Sequence, residues 1–153
     1  MKYASVITTE CYNGPGWGVT FALQGCPHHC PGCFNPETWD FSGGKEFTPD
    51  TLNEIMQAMA PEHITRLSIQ GGEPLTQENL FLTCLVCDQV RSKYPDKKIY
   101  IWTGYTYEEL YRDINHPKMK RILDGTYADY LIDGRFIEAE KDTTLFMRGS
   151  KNQ

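Results

Sequence analysis

Short apolar runs rich in β-branched residues alternate along this chain with segments of helical periodicity, and this alternation is the strongest restriction on its fold. The predicted strands span Val19–Leu23, Ile64–Ile69, Ile99–Trp102 and Tyr130–Ile132, and a glycine-containing loop follows each of them closely. Strands that alternate with helices predict βαβ units, right-handed crossovers and a mainly parallel sheet. We therefore expect an α/β fold.

Three threonines predict where the helices begin. Thr48, Thr76 and Thr106 stand just before helical segments that start near Pro49, Gln77 and Tyr107, and threonine is a favoured N-cap residue. An apolar residue before each cap is paired with one four positions into the helix, which is the pattern of a hydrophobic staple. The pairs are Phe47 with Leu52, Leu75 with Leu80, and Tyr105 with Leu110. Thr106 and Glu109 also have capping-box spacing.

The length and charge of the chain narrow its class. Its 153 residues contain no long linker and no internal repeat, so we expect a single domain over residues 1–153. The formal net charge of −5 argues against a general nucleic-acid or anionic-membrane binder, which needs a basic face. We find neither a signal-peptide core nor a run of about 18 apolar residues. The expected location is the cytoplasm.

Six cysteines then have to be explained in a reducing compartment, where clustered cysteines more often bind metal than form disulfides. Cys26, Cys30 and Cys33 form a C-x3-C-x2-C motif in a loop broken by glycine and proline. Soft thiolates select zinc, copper(I) or iron–sulfur clusters. Three local thiolates suit a 4Fe–4S cluster with one open iron. The alternative is a zinc site that takes His28, His29 or Cys11 as its fourth ligand.

The predicted topology gathers four unusual loops at one edge of the sheet, because ligands of such sheets collect at the carboxyl ends of the strands. The cysteine motif follows the first predicted strand. The other three loops are Gln70-Gly71-Gly72-Glu73-Pro74, Thr103-Gly104-Tyr105 and Asp133-Gly134-Arg135. Cys84 and Cys87 fall well inside a helix, where core packing is a better interpretation than redox chemistry. Cys11 is also expected to be structural.

The cysteine loop resembles the cluster motif of radical S-adenosylmethionine enzymes that activate glycyl-radical enzymes. The resemblance is carried by Phe21-x3-Gly25-Cys26-x3-Cys30-x2-Cys33-x-Asn35, with Asn13-Gly14-Pro15-Gly16 before it and Trp39 after it. Further segments are similar to the members that activate anaerobic ribonucleoside-triphosphate reductase. They are Cys30-Pro31-Gly32-Cys33-Phe34-Asn35, Trp102-Thr103-Gly104-Tyr105, Asp133-Gly134-Arg135-Phe136 and Arg148-Gly149-Ser150-x-Asn152-Gln153. The resemblance implies a shortened, partial (βα) barrel of the radical-SAM type.

The resemblance also implies roles for individual residues. Cys26, Cys30 and Cys33 would ligate a 4Fe–4S cluster, and through it they would be the catalytic residues. The open iron would bind the amino and carboxylate groups of S-adenosylmethionine. Contacts to this cofactor are implied for Gly32, Cys33, Phe34, Gly71, Gly72, Glu73, Thr103, Asp133 and Arg135. One departure stands out, because the family usually has an arginine one residue after the Gly-Pro-Gly segment and this chain has Trp17-Gly18.

The chemistry implied by the resemblance is reductive cleavage of S-adenosylmethionine to methionine and a 5′-deoxyadenosyl radical. The radical would take a hydrogen atom from the glycine loop of the large subunit of anaerobic ribonucleoside-triphosphate reductase, which the open side of the partial barrel would receive. A low-potential donor such as flavodoxin would supply the electron. Two alternatives are an activase of another glycyl-radical enzyme, such as pyruvate formate-lyase, and a non-catalytic zinc-binding module.

Overall fold

The computed structural model describes residues 1–153 as six β-strands and four α-helices, and the longest connection between them, residues 24–44, carries the cysteine motif. In chain order they are β1 (Lys2–Glu10), β2 (Trp17–Leu23), β3 (Lys45–Glu46), α1 (Pro49–Ala58), β4 (Ile64–Gln70), α2 (Gln77–Lys93), β5 (Lys98–Trp102), α3 (Tyr107–Tyr111), α4 (Pro117–Leu123) and β6 (Tyr130–Ile132). The four predicted strands are present within two residues of their predicted bounds. Strands β1 and β3 and helix α4 were not predicted.

The six strands form one sheet in the order β3-β1-β2-β4-β5-β6. Neighbours among β2, β4, β5 and β6 are parallel, as predicted, but β1 pairs antiparallel with both β2 and β3. The expectation of a mainly parallel sheet is therefore wrong, and the sheet is mixed. Only residues 11–16 join β1 to β2, and a connection this short cannot hold the crossover that parallel neighbours require.

The three predicted helix starts are confirmed. The hydroxyls of Thr48, Thr76 and Thr106 accept hydrogen bonds from the backbone N–H groups three residues later. The capping box at Thr106 is also present, because its backbone N–H donates to a carboxylate oxygen of Glu109 at 2.8 Å. Each cap satisfies N–H groups that the first helical turn leaves without a partner. Each of these three helices therefore begins at the residue that follows its threonine cap.

The hydrophobic core lies between the helices and one face of the sheet. Alternate residues of β2, β4 and β5 point into it, among them Phe21, Leu67 and Ile101, which are fully buried. All six residues of the predicted staples lie in this core or pack against it. The opposite sheet face carries buried polar groups instead, including Thr20, Arg66 and Ser68. None of the helices combines the length and apolar character needed to cross a membrane.

Candidate cluster site at the carboxyl edge of the sheet

A cavity of about 160 Å³ opens at the carboxyl ends of the parallel strands. Residues that follow β2, β4, β5 and β6 all line it, so the predicted meeting of the four loops at one edge is confirmed. The lining residues from these loops include Cys26, Cys30, Cys33, Gly71, Gly72, Glu73, Thr103 and Gly134. The edge therefore brings three thiols and a glycine-rich strand end around one space.

The cysteine motif lies in an irregular loop that is anchored where it leaves β2. The backbone N–H of Gly25 donates to the carbonyl of Thr38 at 2.8 Å, and that of Cys26 donates to the carbonyl of Trp39 at 3.0 Å. Cys26 is buried, while Cys30 and Cys33 are partly exposed. Burial raises the pKa of the Cys26 and Cys30 thiols. In the metal-free protein these two thiols hold their protons at neutral pH, and metal binding releases them.

The glycine pair after β4 is required by the packing of the loop as well as by any ligand. Gly71 and Gly72 both have positive φ angles, of 64° and 46°. A Cβ atom on Gly72 would lie 2.7 Å from the carbonyl oxygen of Gly25, which is too close for a carbon and an oxygen atom. Only glycine, which has no Cβ atom, fits at this position. The backbone N–H of Gly72 donates to the Thr38 hydroxyl at 2.8 Å. The pair thus joins the end of β4 to both ends of the cysteine loop.

Glu73 follows the glycine pair and also lines the cavity, and its carboxylate is only 1% exposed. Its Oε1 accepts hydrogen bonds from Leu75 N at 2.9 Å and from the Thr103 hydroxyl at 2.7 Å. Its Oε2 accepts one from Gly104 N at 2.7 Å and lies 2.9 Å from Nε2 of His28. A carboxylate offers about four acceptor positions. The four positions of Glu73 are therefore all occupied by protein donors.

Three of the residues singled out from the sequence do not line the cavity: Gly32, Asp133 and Arg135. Asp133 accepts a hydrogen bond from the backbone N–H of Tyr107 at 2.8 Å, at the start of α3. The Nε of Arg135 donates to Nδ1 of His28 at 3.1 Å. Phe34 does line the cavity and packs on Phe136, with ring centroids 5.2 Å apart. The proposed cofactor contacts of all these residues remain predictions.

The donor set around the cavity fits an iron–sulfur cluster. No three His, Cys, Asp or Glu side chains are grouped closely enough to hold one metal ion, whereas three thiols spread around a cavity can each bind a different iron. The only buried side-chain nitrogen or oxygen without a hydrogen-bond partner is Nε1 of Trp39. Trp39 lines the same cavity. Buried donors are nearly always paired, so this indole N–H is an exception that lies on a residue of the cavity wall.

Comparison with known sequences agrees with this chemistry. A family model described as "4Fe-4S single cluster domain" matches residues 12–153. The chain is 36% identical over 155 residues to the anaerobic ribonucleoside-triphosphate reductase-activating protein of Vibrio cholerae, covering all of this chain and 96% of the relative. The proteins of the same name from Escherichia coli K12 and Enterobacteria phage T4 are 35% and 34% identical, with all of this chain aligned to 96% and 92% of their lengths.

The chain belongs to the family of anaerobic ribonucleoside-triphosphate reductase-activating proteins. This membership decides between the two metal interpretations of the cysteine motif. Zinc and iron–sulfur were both open on ligand count alone, and the match to a 4Fe–4S domain over residues 12–153 favours the cluster.

The sequence patterns did not indicate any role for Arg66. It is the largest fully buried side chain, and its Nη1 and Nη2 lie 2.6 and 3.1 Å from the two carboxylate oxygens of Glu10. Its Nε donates to the carbonyl of Pro15 at 3.1 Å. Burial acts to raise the pKa of Glu10, but hydrogen bonds from Arg66 and from three neighbours outweigh it, so this pKa lies below its usual value.

Arg66 lies beside Gly18, the position at which the resemblance leads us to expect an arginine. Gly18 and Arg66 are register partners on β2 and β4. A Cβ atom at Gly18 would lie 2.4 Å from Nη1 of Arg66, so the guanidinium occupies the space beside Gly18. An arginine on the neighbouring strand thus holds the loop formed by residues 11–16. Only the sheet register brings the two positions together, so no local motif reveals this contact.

A second cavity, of about 630 Å³, adjoins the first. The two share Phe34, Gln70, Trp102, Phe136 and Gln153 in their walls. The loop of residues 11–16 forms one side of the second cavity and the segment 141–149 forms another. The three most exposed large hydrophobic side chains of the protein, Tyr12, Phe34 and Phe146, all line it.

The remaining cysteines differ in their surroundings. Cys84 and Cys87 are buried in the hydrophobic core, which confirms the packing interpretation. Burial raises the pKa of Cys84 to about 11 and that of Cys87 further still. Cys11 is exposed and lines the second cavity. Cys11 is therefore not packed in the core, and the expectation that it is structural is wrong.

Proposed function

We propose that this chain is the radical S-adenosylmethionine activase that generates the glycyl radical of anaerobic ribonucleoside-triphosphate reductase. The observation that carries the proposal is the cavity at the carboxyl edge, where three thiols of one loop face a glycine-rich strand end. The names of the full-length relatives support the reductase as the partner. The family match supports a 4Fe–4S cluster.

In this proposal Cys26, Cys30 and Cys33 hold the cluster, and S-adenosylmethionine lies between it and the end of β4. When bound, the reduced cluster supplies the electron that cleaves S-adenosylmethionine to methionine and the 5′-deoxyadenosyl radical, which takes a hydrogen atom from a backbone glycine. The proposed cofactor contacts come from Gly32, Cys33, Phe34, Gly71, Gly72, Glu73, Thr103, Asp133 and Arg135. The Glu73 carboxylate is saturated and its backbone N–H donates to the carbonyl of Gly25 at 2.8 Å, so a direct contact from this residue requires one of these hydrogen bonds to break.

The protein's own part in this chemistry is positional. The hydrogen bonds of Gly25, Cys26 and Gly72 to the segment 38–39 hold the cysteine loop against the strand ends. Phe34 and Phe136 provide apolar walls beside the thiols. Because Phe34 is exposed, we propose that these walls exclude water, and so protect a reactive radical from side reactions, once the partner covers them. A mixed six-stranded sheet with these loops supports a shortened, partial (βα) barrel, and we propose that residues 1–153 act as one domain.

The second cavity gives the proposal a route for the protein substrate. A radical formed in the first cavity can reach only groups that enter through a space continuous with it. The second cavity shares walls with the first, and exposed aromatic side chains surround it. We propose that the glycine loop of the reductase enters here. Flavodoxin as the electron donor and the cytoplasm as the location remain expectations from the sequence.

The test combines the reduced holoprotein, S-adenosylmethionine and the reductase under anaerobic conditions. We expect formation of 5′-deoxyadenosine together with a glycyl radical signal on the reductase. Cys26→Ala, Cys30→Ala and Cys33→Ala should each abolish both products, whereas Cys84→Ala, which removes a core thiol, should retain them. Purified pyruvate formate-lyase in place of the reductase should gain no radical. Cleavage in the Cys26→Ala protein would refute the ligand assignment, and a radical on pyruvate formate-lyase alone would refute the partner.

A further inference from the structure

His28 lies between the first two cysteines of the motif, and its side chain is only 5% exposed. It reaches three other parts of the chain. Its Nε2 is 2.9 Å from Oε2 of Glu73, and its Nδ1 is 3.1 Å from Nε of Arg135. Its ring meets that of Tyr105 edge to face, with centroids 4.6 Å apart. One side chain from the cysteine loop thus touches residues that follow β4, β5 and β6.

The contacts of His28 determine which ring nitrogen carries the proton. A guanidinium has only donors, so Nδ1 must accept the hydrogen bond from Arg135. A neutral imidazole then carries its proton on Nε2, and this N–H donates to Glu73. The other three acceptor positions of Glu73 are taken by Leu75, Thr103 and Gly104. The carboxylate and the imidazole therefore hold each other in one orientation.

The cysteine loop has few other ties to the sheet. Residues 27–32 make no backbone hydrogen bond to any strand, and the one backbone bond in this stretch joins Cys33 N to Cys30 O at 3.1 Å within the loop. Gly104 leaves room for the His28 ring, because a Cβ atom at position 104 would lie 2.4 Å from Cδ2 of His28. The backbone hydrogen bonds of Gly25 and Cys26 fix the start of the loop. Within residues 27–32, His28 is the side chain that joins the loop to residues after β4, β5 and β6.

We propose that His28 is a positioning residue for the cluster loop, acting through the hydrogen-bonded chain Glu73, His28 and Arg135. The proposal rests on the proposed function, because it assigns His28 the task of holding the cluster ligands against the S-adenosylmethionine site. Outer groups that orient metal ligands typically change affinity or activity by about 10–100-fold when removed. His28 holds its ligands through the backbone on either side of it.

Three variants separate hydrogen bonding from space filling. His28→Phe keeps a ring against Tyr105 and loses both hydrogen bonds. His28→Gln keeps a donor that reaches toward Glu73, the more deeply buried partner. The matched control is His29→Asn, because the adjacent His29 stacks on Trp39, lies outside the cavity lining and has a φ of 47°, a conformation that asparagine tolerates.

The measurement is the electron paramagnetic resonance spectrum of each reduced, reconstituted protein during titration with S-adenosylmethionine. We expect His28→Phe to lower the apparent affinity about tenfold or more and to broaden the reduced-cluster signal. His28→Gln should recover most of the affinity and the narrow signal, and His29→Asn should match the unmodified protein. Equal behaviour of the Phe and Gln variants, or an unmodified spectrum in His28→Phe, would overturn the proposal.

A second measurement stands apart from the proposed function. Histidine labelled with 15N in the oxidised holoprotein should report His28 as the Nε2–H tautomer, and the assignment is made by comparison with His28→Gln. An Nδ1–H tautomer or a doubly protonated ring would refute the hydrogen-bonded chain even if the enzyme is active. Loss of any S-adenosylmethionine response in the unmodified protein would instead refute the proposed function and leave the tautomer result as the test of His28.

Discussion

The buried pair of Arg66 and Glu10 makes a strong prediction about stability. Replacing Arg66 with methionine keeps an apolar stem of similar length but removes the guanidinium, which leaves the Glu10 carboxylate buried without its charged partner. Breaking a buried ion pair from one side costs roughly 3–5 kcal/mol. Glu10 still accepts hydrogen bonds from Tyr12 N and Asn13 N at 2.8 Å each. We therefore expect a loss near the lower end, about 3 kcal/mol.

The assay is urea unfolding of the reduced, metal-free protein, followed by tryptophan fluorescence. The double variant Glu10→Leu/Arg66→Met should be more stable than the sum of the two single losses predicts, because replacing both charges leaves neither one unpaired. Lys98→Met is the matched control, since Lys98 is more than half exposed and pairs with Asp129 at the surface. Its effect should be small.

A loss below about 1 kcal/mol for Arg66→Met would refute this reasoning, because such a value is typical of exposed pairs. Additive losses in the double variant would also contradict it. The variant has a functional consequence as well. Arg66 donates to the carbonyls of Pro15 and Gly16, so its loss should loosen the loop that lines the second cavity and weaken activation of the reductase more than cleavage of S-adenosylmethionine alone.

Three further predictions concern acidity, thiols and a helix cap. Folding lowers the pKa of Glu10, so the stabilising contribution of this carboxylate is complete above its ordinary pKa of 4.5 and is lost as the pH falls through the lowered pKa. Glu10→Gln should therefore reduce the loss of stability at acid pH, as measured by urea unfolding at several pH values. An unchanged loss at acid pH would contradict this prediction. Iodoacetamide at neutral pH should label Cys11 in the folded metal-free protein and spare Cys84 and Cys87, as peptide mass mapping can check, and equal labelling of all three would show that the core is open. Thr106→Ala should cost about 1 kcal/mol of unfolding free energy through its lost cap, and no change in the urea midpoint would show that the cap contributes nothing.

Helix starts could be predicted well because their signals are local. The threonine hydroxyls at positions 48, 76 and 106 bond to N–H groups only three residues away, so neighbouring residues suffice to identify them. Strand β1 lacks such a signal. Most of its residues are half-buried or exposed, in no strict alternation, and its antiparallel pairing follows from the short connection to β2 rather than from its own sequence.

The meeting of the four loops was likewise predictable, because it follows from the direction of parallel strands. The contacts inside the site were not. The saturation of Glu73 depends on donors 2, 30, 31 and 45 residues away in the chain, and the contact of Arg66 with Gly18 depends on the register of β2 against β4. Such contacts are set by tertiary structure, so a motif can indicate which residues gather but not which hydrogen bonds they form.

The most direct test of the cluster assignment is a pair of electron paramagnetic resonance spectra. The protein is purified without oxygen, reconstituted with iron and sulfide and reduced, and spectra are recorded before and after S-adenosylmethionine is added. We predict a reduced-cluster signal that changes on addition, because one iron is open to the cofactor. The absence of a cluster signal, together with stoichiometric zinc in the native protein, would contradict both the cluster and the activase.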